Sequence, residues 1–170
     1  MQGRVQLYQR SHINTDEIIP ARYLNVHDKA ALARHAMEDI DPGFVDRVQA
    51  GDFIVAEEDF GCGSSREHAV WALQGAGVQA VLADSFARIF YRNAINNGFY
   101  PIEIAGISTR VGQGDELNID LAKGRVINMT KDEVYDFPPF TSFIQAVIDA
   151  GGLLSYLGKQ KSGAGISDGT

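Results

Sequence analysis

Residues 53–98 read FIVAEEDFGCGSSREHAVWALQGAGVQAVLADSFARIFYRNAINNG, and the order of apolar runs, glycines and helical stripes in this stretch decides the fold class. Phe53-Ile54-Val55-Ala56 is a short apolar run that suits a buried strand. It is followed by the acids Glu57, Glu58 and Asp59 and by the loop Phe60-Gly61-Cys62-Gly63-Ser64-Ser65. Beyond the loop, Ala69, Ala72, Leu73 and Ala76 fall on one helical stripe, which Gly75 and Gly77 bring to an end. Val78 to Ala83 reads as a second buried strand, and Phe86 to Asn97 as a helix with Ile89, Phe90, Asn93 and Asn97 about a turn apart, stopped by Gly98. Strand, loop, helix, strand, helix is the order of an α/β fold.

Toward the N-terminus, Arg4 to Gln9 alternates polar and apolar residues as a half-buried strand does, and then turns polar at Ser11 to Asp16. Ala31, Leu32, Ala36 and Met37 recur at near-helical spacing, Pro42-Gly43 interrupts, and Phe44, Val45 and Val48 open a second short helix. Toward the C-terminus, Tyr100–Ile104, Glu116–Asp120 and Arg125–Met129 read as strands joined by Gly-containing turns, so the second half is richer in β structure, with a late helix over Phe140–Ala150. A single domain is expected over residues 1–157. The tail 158–170, with four glycines and no apolar period, is expected to be mobile.

A chain of 170 residues, 45% hydrophobic and 22% charged, has the length and composition of one globular domain, which excludes global disorder and fibrous repeats. It has neither an apolar run long enough for a membrane span nor the apolar stretch of a signal peptide, so a cytoplasmic protein is expected. Cys62 is the only cysteine, which excludes an intrachain disulfide and any metal site needing several thiolates from this chain. Fifteen basic against 22 acidic residues leave a net charge of −7, which disfavours a polyanion such as nucleic acid as partner.

The loop Gly61-Cys62-Gly63-Ser64-Ser65-Arg66-Glu67-His68 is the most informative chemically. Its glycines let the backbone approach a ligand, and the helix start beyond it presents free amides and a positive dipole end. Arg66 adds a planar fork suited to a carboxylate, and Ser64 and Ser65 place two hydroxyls beside it. The same residues also fit a capping box, with Ser64 as N-cap and Glu67 returning to its amide, so an anion site and a structural cap both stand on spacing. A nucleophile elbow, a P-loop and a dinucleotide fingerprint all fail on missing residues. Cys62 reads as a small buried filler rather than a nucleophile. Asp16, in Asn14-Thr15-Asp16-Glu17, reads as a turn cap or as a site residue. The four histidines show no metal-ligand spacing, and His35 reads as a solvated helix residue. Arg88 and Arg92 share one helix face, and Asn93, Asn96 and Asn97 hint at a hydrogen-bonding task near the helix end.

Three groups of residues, in order and at these spacings, resemble the small subunits of the 3-isopropylmalate dehydratase family, the swivelling domain of the aconitase superfamily, over about residues 1–150. They are Asn14-Thr15-Asp16 with Ile18-Ile19-Pro20, Gly61 through Ala69, and Ser85-Phe86-Ala87-Arg88-Ile89-Phe90 with Asn96-Asn97-Gly98. The resemblance implies an α/β chain with a three-layer β/β/α fold. It also implies a hetero-oligomer with a separate large subunit that carries a 4Fe-4S cluster. The implied reaction dehydrates and rehydrates a hydroxy acid, interconverting 2-isopropylmalate and 3-isopropylmalate in leucine biosynthesis, with the cluster iron taking the hydroxyl. By position, Ser64 would be the base that removes the proton α to a carboxylate, Ser65 would support that carboxylate, Arg66 would bind it, and Asp16 would organise the hydroxyl end. Leu24 and Asn25 match the loop near the substrate's variable group. No arginine occurs at Asn25, Val26 or His27 for an additional carboxylate, which favours an apolar isopropyl group beside Leu24 and Val26. Homoaconitase or another alkylmalate hydro-lyase is the alternative with the same chemistry, and a non-catalytic carboxylate-binding module is the alternative of another class. A stand-alone serine hydrolase lacks its Ser-His-acid order.

Overall fold

Four strands, β1 (Gln2–Leu7), β2 (Phe53–Val55), β3 (Ala80–Ala83) and β4 (Tyr100–Glu103), run parallel in the spatial order β4-β3-β2-β1, with Val5 opposite Phe53, Phe53 opposite Ala80 and Ala80 opposite Tyr100. The computed structural model describes residues 1–164. β2 and β3 are buried at every position, as expected for strands covered on both faces. On its other edge β1 pairs antiparallel with β5 (Glu116–Asp120), Gly3 facing Leu117, and β6 (Arg125–Asn128) and β7 (Glu133–Asp136) complete the antiparallel half.

Two apolar clusters separate three layers. On one face, Ile54, Val81 and Ala83 pack with Ala69, Ala72 and Leu73 of α4 (Glu67–Gly75), Phe90 and Ala94 of α5 (Arg88–Asn96), Leu32 of α2 (Lys29–Ala33) and Ile18 of α1 (Thr15–Ile18). On the opposite face Val5, Phe53, Val55, Ala80 and Leu82 meet Leu117, Ile119, Val126 and Tyr135 from the antiparallel half. The antiparallel strands thus fold back over the parallel ones, giving the expected β/β/α arrangement.

The structure departs from the sequence reading at several elements. The spacing of Ala31 to Met37 does not make one helix: α2 stops at Ala33, and Met37 turns left-handed (φ 60°) to donate its amide to Ile18 O at 2.8 Å. His35 is half-buried rather than solvated, stacked on Tyr23 with ring centroids 3.9 Å apart and bonded through Nδ1 to Glu38 at 2.7 Å. β7 has no sequence signal because a single side chain, Tyr135, points inward from an edge strand whose other residues are exposed. The short helices α3 (Phe44–Arg47) and α6 (Ile107–Arg110) are single turns, and α7 spans Ser142–Asp149. α8 (Leu153–Ala164) continues through Gly158 into the stretch that lacks an apolar period. Its Tyr156 ring packs edge-on against Phe143 of α7, and the rest of the expected tail, 165–170, lies outside the described residues.

Candidate active site

The carboxyl ends of parallel strands open on one edge of a sheet, where α/β folds place ligands. On this edge the segment after β1 and the loop after β2 are stitched together. The Gly61 amide donates to Ile13 O at 2.7 Å, the Thr15 amide to Cys62 O at 2.8 Å and the Thr15 hydroxyl to Ser64 O at 3.0 Å. Gly61 adopts φ 82° against α5, where a Cβ would meet Phe90 Cγ at 2.2 Å, so the side chain is missing where the loop must press on a buried ring.

These contacts revise both capping readings. Ser64 does not cap α4: the helix begins two residues later, with Arg66 as an extended N-cap residue and no side chain bonded to its amides. Gly63 (φ 94°) and the Thr15 bond hold Ser64 outside the helical frame. Ser64 and Ser65 are exposed, and neither hydroxyl has a partner among the described residues. In the N-terminal segment the cap is Asn14 rather than Asp16. Asn14 Oδ1 accepts from the Glu17 amide and Glu17 Oε2 accepts from the Asn14 amide, each at 3.0 Å, a complete capping box.

Asp16 is therefore released from capping, and its Oδ1 accepts from Arg66 Nη1. Arg66 is mostly covered, with 17% of its side chain exposed, whereas Asp16 is 55% exposed. The pair holds one corner of the guanidinium and leaves the other donors of the fork without a carboxylate partner among the described residues. With the uncapped amides of the first turn of α4, this gathers two free hydroxyls, a fixed cation and a positive dipole end, a set that can bind a carboxylate and stabilise negative charge as it develops.

Leu24 is half-buried and Asn25 exposed, and their loop reaches the site through His27, whose ring lies 5.5 Å from that of His68 in the first turn of α4. Arg22 does not turn toward the site; it is paired with Glu38 and Asp39 and lies over the Tyr23 ring. His68 also faces Trp71, at 5.0 Å, and its Nε2 is buried without a hydrogen-bond partner. The hydrogen-bonding task of the α5 asparagines falls on Asn97, which accepts from Trp71 Nε1 at 2.9 Å and from Gln74 Nε2 at 2.7 Å, tying α4 to the end of α5.

His12, Asp59 and Cys62 also converge, with ligand atoms within 4.8 Å of one another, a juxtaposition that spacing in the sequence does not reveal. His12 Nδ1 lies 2.9 Å from Asp59 Oδ2. Burial first, and then the Asp59 carboxylate, push the Cys62 thiol up from its ordinary pKa, which keeps it protonated and a poor nucleophile. A single cysteine does not supply the several thiolates that hold an iron-sulfur cluster.

Compared with known proteins, residues 1–106 match the aconitase C-terminal domain family. The 3-isopropylmalate dehydratase small subunit of Deinococcus deserti is 55% identical over 157 residues, 92% of this chain and 87% of that one. The small subunit of Endomicrobium trichonymphae is 52% identical over 157 residues, 92% and 96% of the two chains. A crystal structure of 3-isopropylmalate dehydratase from Methanocaldococcus jannaschii matches this fold with a TM-score of 0.90 at 42% identity, covering 96% of each chain. No helix among the described residues is long and apolar enough to cross a membrane.

Proposed function

The chain belongs to the aconitase C-terminal domain family, as one of its 3-isopropylmalate dehydratase small subunits, and on that premise we propose that Ser64, Ser65, Arg66 and Asp16 supply the proton-transfer side of the active site. The reaction is that of a hydro-lyase of leucine biosynthesis, and a small subunit requires a large one. We place the 4Fe-4S cluster on that large subunit, together with the chemistry that loosens the substrate hydroxyl. This chain's own share is the hydrogen on the carbon α to a carboxylate.

Arg66 grips that carboxylate with the donors that Asp16 leaves free, and Ser65 adds a hydroxyl to the same oxygens. Ser64 Oγ takes the proton during dehydration and returns it during hydration. A serine oxygen is a weak base, so its developing charge and the aci-carboxylate charge both need stabilisation, which Arg66 and the open amides of α4 strengthen in the transition state. Leu24 and Asn25 line the side toward the substrate's variable group, where the absence of an arginine suits an isopropyl substituent. The observation that carries this reading is the Arg66–Asp16 pair beside two serines that cap nothing.

The test is anaerobic reconstitution with the purified large subunit, following the alkene absorbance of isopropylmaleate formed from 3-isopropylmalate, beside homocitrate and a Ser64→Ala variant. Turnover of isopropylmalate that falls away in the variant supports the assignment. Full activity in the Ser64→Ala complex would remove Ser64 from the role, and turnover by the small subunit alone would contradict the division of labour.

A further inference from the structure

The edge that carries Ser64 holds a second feature that proton transfer does not use. The loop between β3 and α5 opens on the same edge, and with Gly61 and Gly63 it borders a shallow groove of about 520 Å³ whose other wall is Arg88, Ile89 and Arg92. Arg88 and Arg92 stand four residues apart on one face of α5, and Ile89, 48% exposed, lines the groove to one side of them. Neither guanidinium has a carboxylate within ion-pair distance among the described residues, although Arg10 and Arg66 on the same edge are each paired. Asp59, at the rim, is bonded to His12, and Glu103, in the adjoining hollow, forms no ion pair with either arginine. In a chain of net charge −7, two open cations beside an exposed aliphatic side chain form a local reversal of sign next to an apolar patch. Arginine is enriched at protein–protein contacts, where it pairs with carboxylates of the partner beside apolar side chains that exclude water.

We infer that this groove seats a segment of the large subunit that presents carboxylate side chains next to an apolar residue. The inference rests on the proposed function: any chain that brings a cofactor against Ser64 covers the loop of Gly61 and Gly63, and that loop is one wall of the groove. The contact would align the two halves of the active site, with Arg88 and Arg92 steering association and Ile89 packing against the apolar residue beside them.

The experiment measures binding of the purified large subunit to the wild-type small subunit and to an Arg88→Glu/Arg92→Glu variant by anaerobic calorimetry at low and moderate salt. Arg125→Glu, on β6 in the antiparallel layer, is the control, and circular dichroism confirms folding. The double variant is expected to bind about 100-fold more weakly at low salt and to recover part of that affinity as salt rises, the reverse of wild type, with kcat at saturating small subunit within about threefold of wild type. The milder Arg88→Gln/Arg92→Gln variant, which removes charge without reversing it, is expected to bind about 10-fold more weakly and guards against misfolding of the first. Unchanged affinity of both variants alongside normal wild-type turnover would overturn this inference and leave the proposed function standing, as would intact affinity with lost kcat. Failure of the wild-type chains to associate would overturn both.

Discussion

At the scale of single residues, the Arg66–Asp16 pair makes a prediction that distinguishes its members. Asp16→Asn keeps the shape at the rim but removes the charge that fixes Arg66 Nη1, and is expected to lower kcat/KM about tenfold with the complex intact. Arg66→Lys replaces a fork with a point charge and is expected to lose more, about 100-fold. Ser64→Ala should lower kcat by about 100- to 10,000-fold with little change in KM, because the missing group acts on the proton rather than on binding. Steady-state kinetics of the reconstituted enzymes check all three. The residue types of this site were legible in the sequence, but their roles were not. Ser64 and Glu67 fit a capping box in one frame and an open loop in another, and only the left-handed turn at Gly63 and the bond from Thr15 select the second. The family resemblance places Asp16 and Arg66 in one site, but the bond between them, fifty residues apart, has no local signature and is seen only in the structure.

At the scale of elements, the site depends on how its two segments are held. Gly61→Ala brings a methyl group into the Phe90 ring at a left-handed backbone position and is expected to destabilise the fold by about 2–4 kcal/mol, read as a lower Tm. Asn14→Ala opens the capping box below Thr15 and Asp16 and is expected to cost about 1 kcal/mol, with faster amide exchange in residues 14–18. Tyr100 links β4 to α7: its hydroxyl donates to Asp149 Oδ1 at 2.8 Å and accepts from Gln145 Nε2 at 3.1 Å. Burial, reinforced by Asp149, pushes its pKa up to about 12 from the ordinary 10. Because folding favours the protonated phenol, its contribution is complete below about pH 10 and is lost as pH rises toward 12. A Tyr100→Phe variant is expected to show a flatter fall in stability across that interval in denaturant titrations. Elements with several inward side chains, such as β2, β3 and α4, were readable from apolar spacing. Edge strand β7 and the single turns α1 and α6 were not, since tertiary contacts and caps rather than periodicity specify them.

At the scale of the whole molecule, Phe53 sits in the cluster between the two β layers, fully buried with Val5 and Leu82 against residues of the antiparallel half. Phe53→Ala is expected to destabilise the chain by about 3–5 kcal/mol in chemical denaturation, a loss shared by both layers because the cavity opens between them. The α/β class was legible because the parallel half announces itself in continuous apolar runs. The stacking of the antiparallel strands over it was expected only through the family resemblance, because the pairing of Gln2–Arg4 with Glu116–Asn118 joins stretches that nothing local connects. That pairing also has a consequence for biosynthesis. Of the seven strands of this sheet β1 leaves the ribosome before the others, yet one of its two neighbours is the fifth of them to be made. Until that late segment emerges, the nascent chain exposes an open strand edge over an uncovered apolar face, the arrangement through which β-rich intermediates pair with one another. Ribosome-bound chains that end before Glu116 are therefore the forms for which chaperone cover matters most.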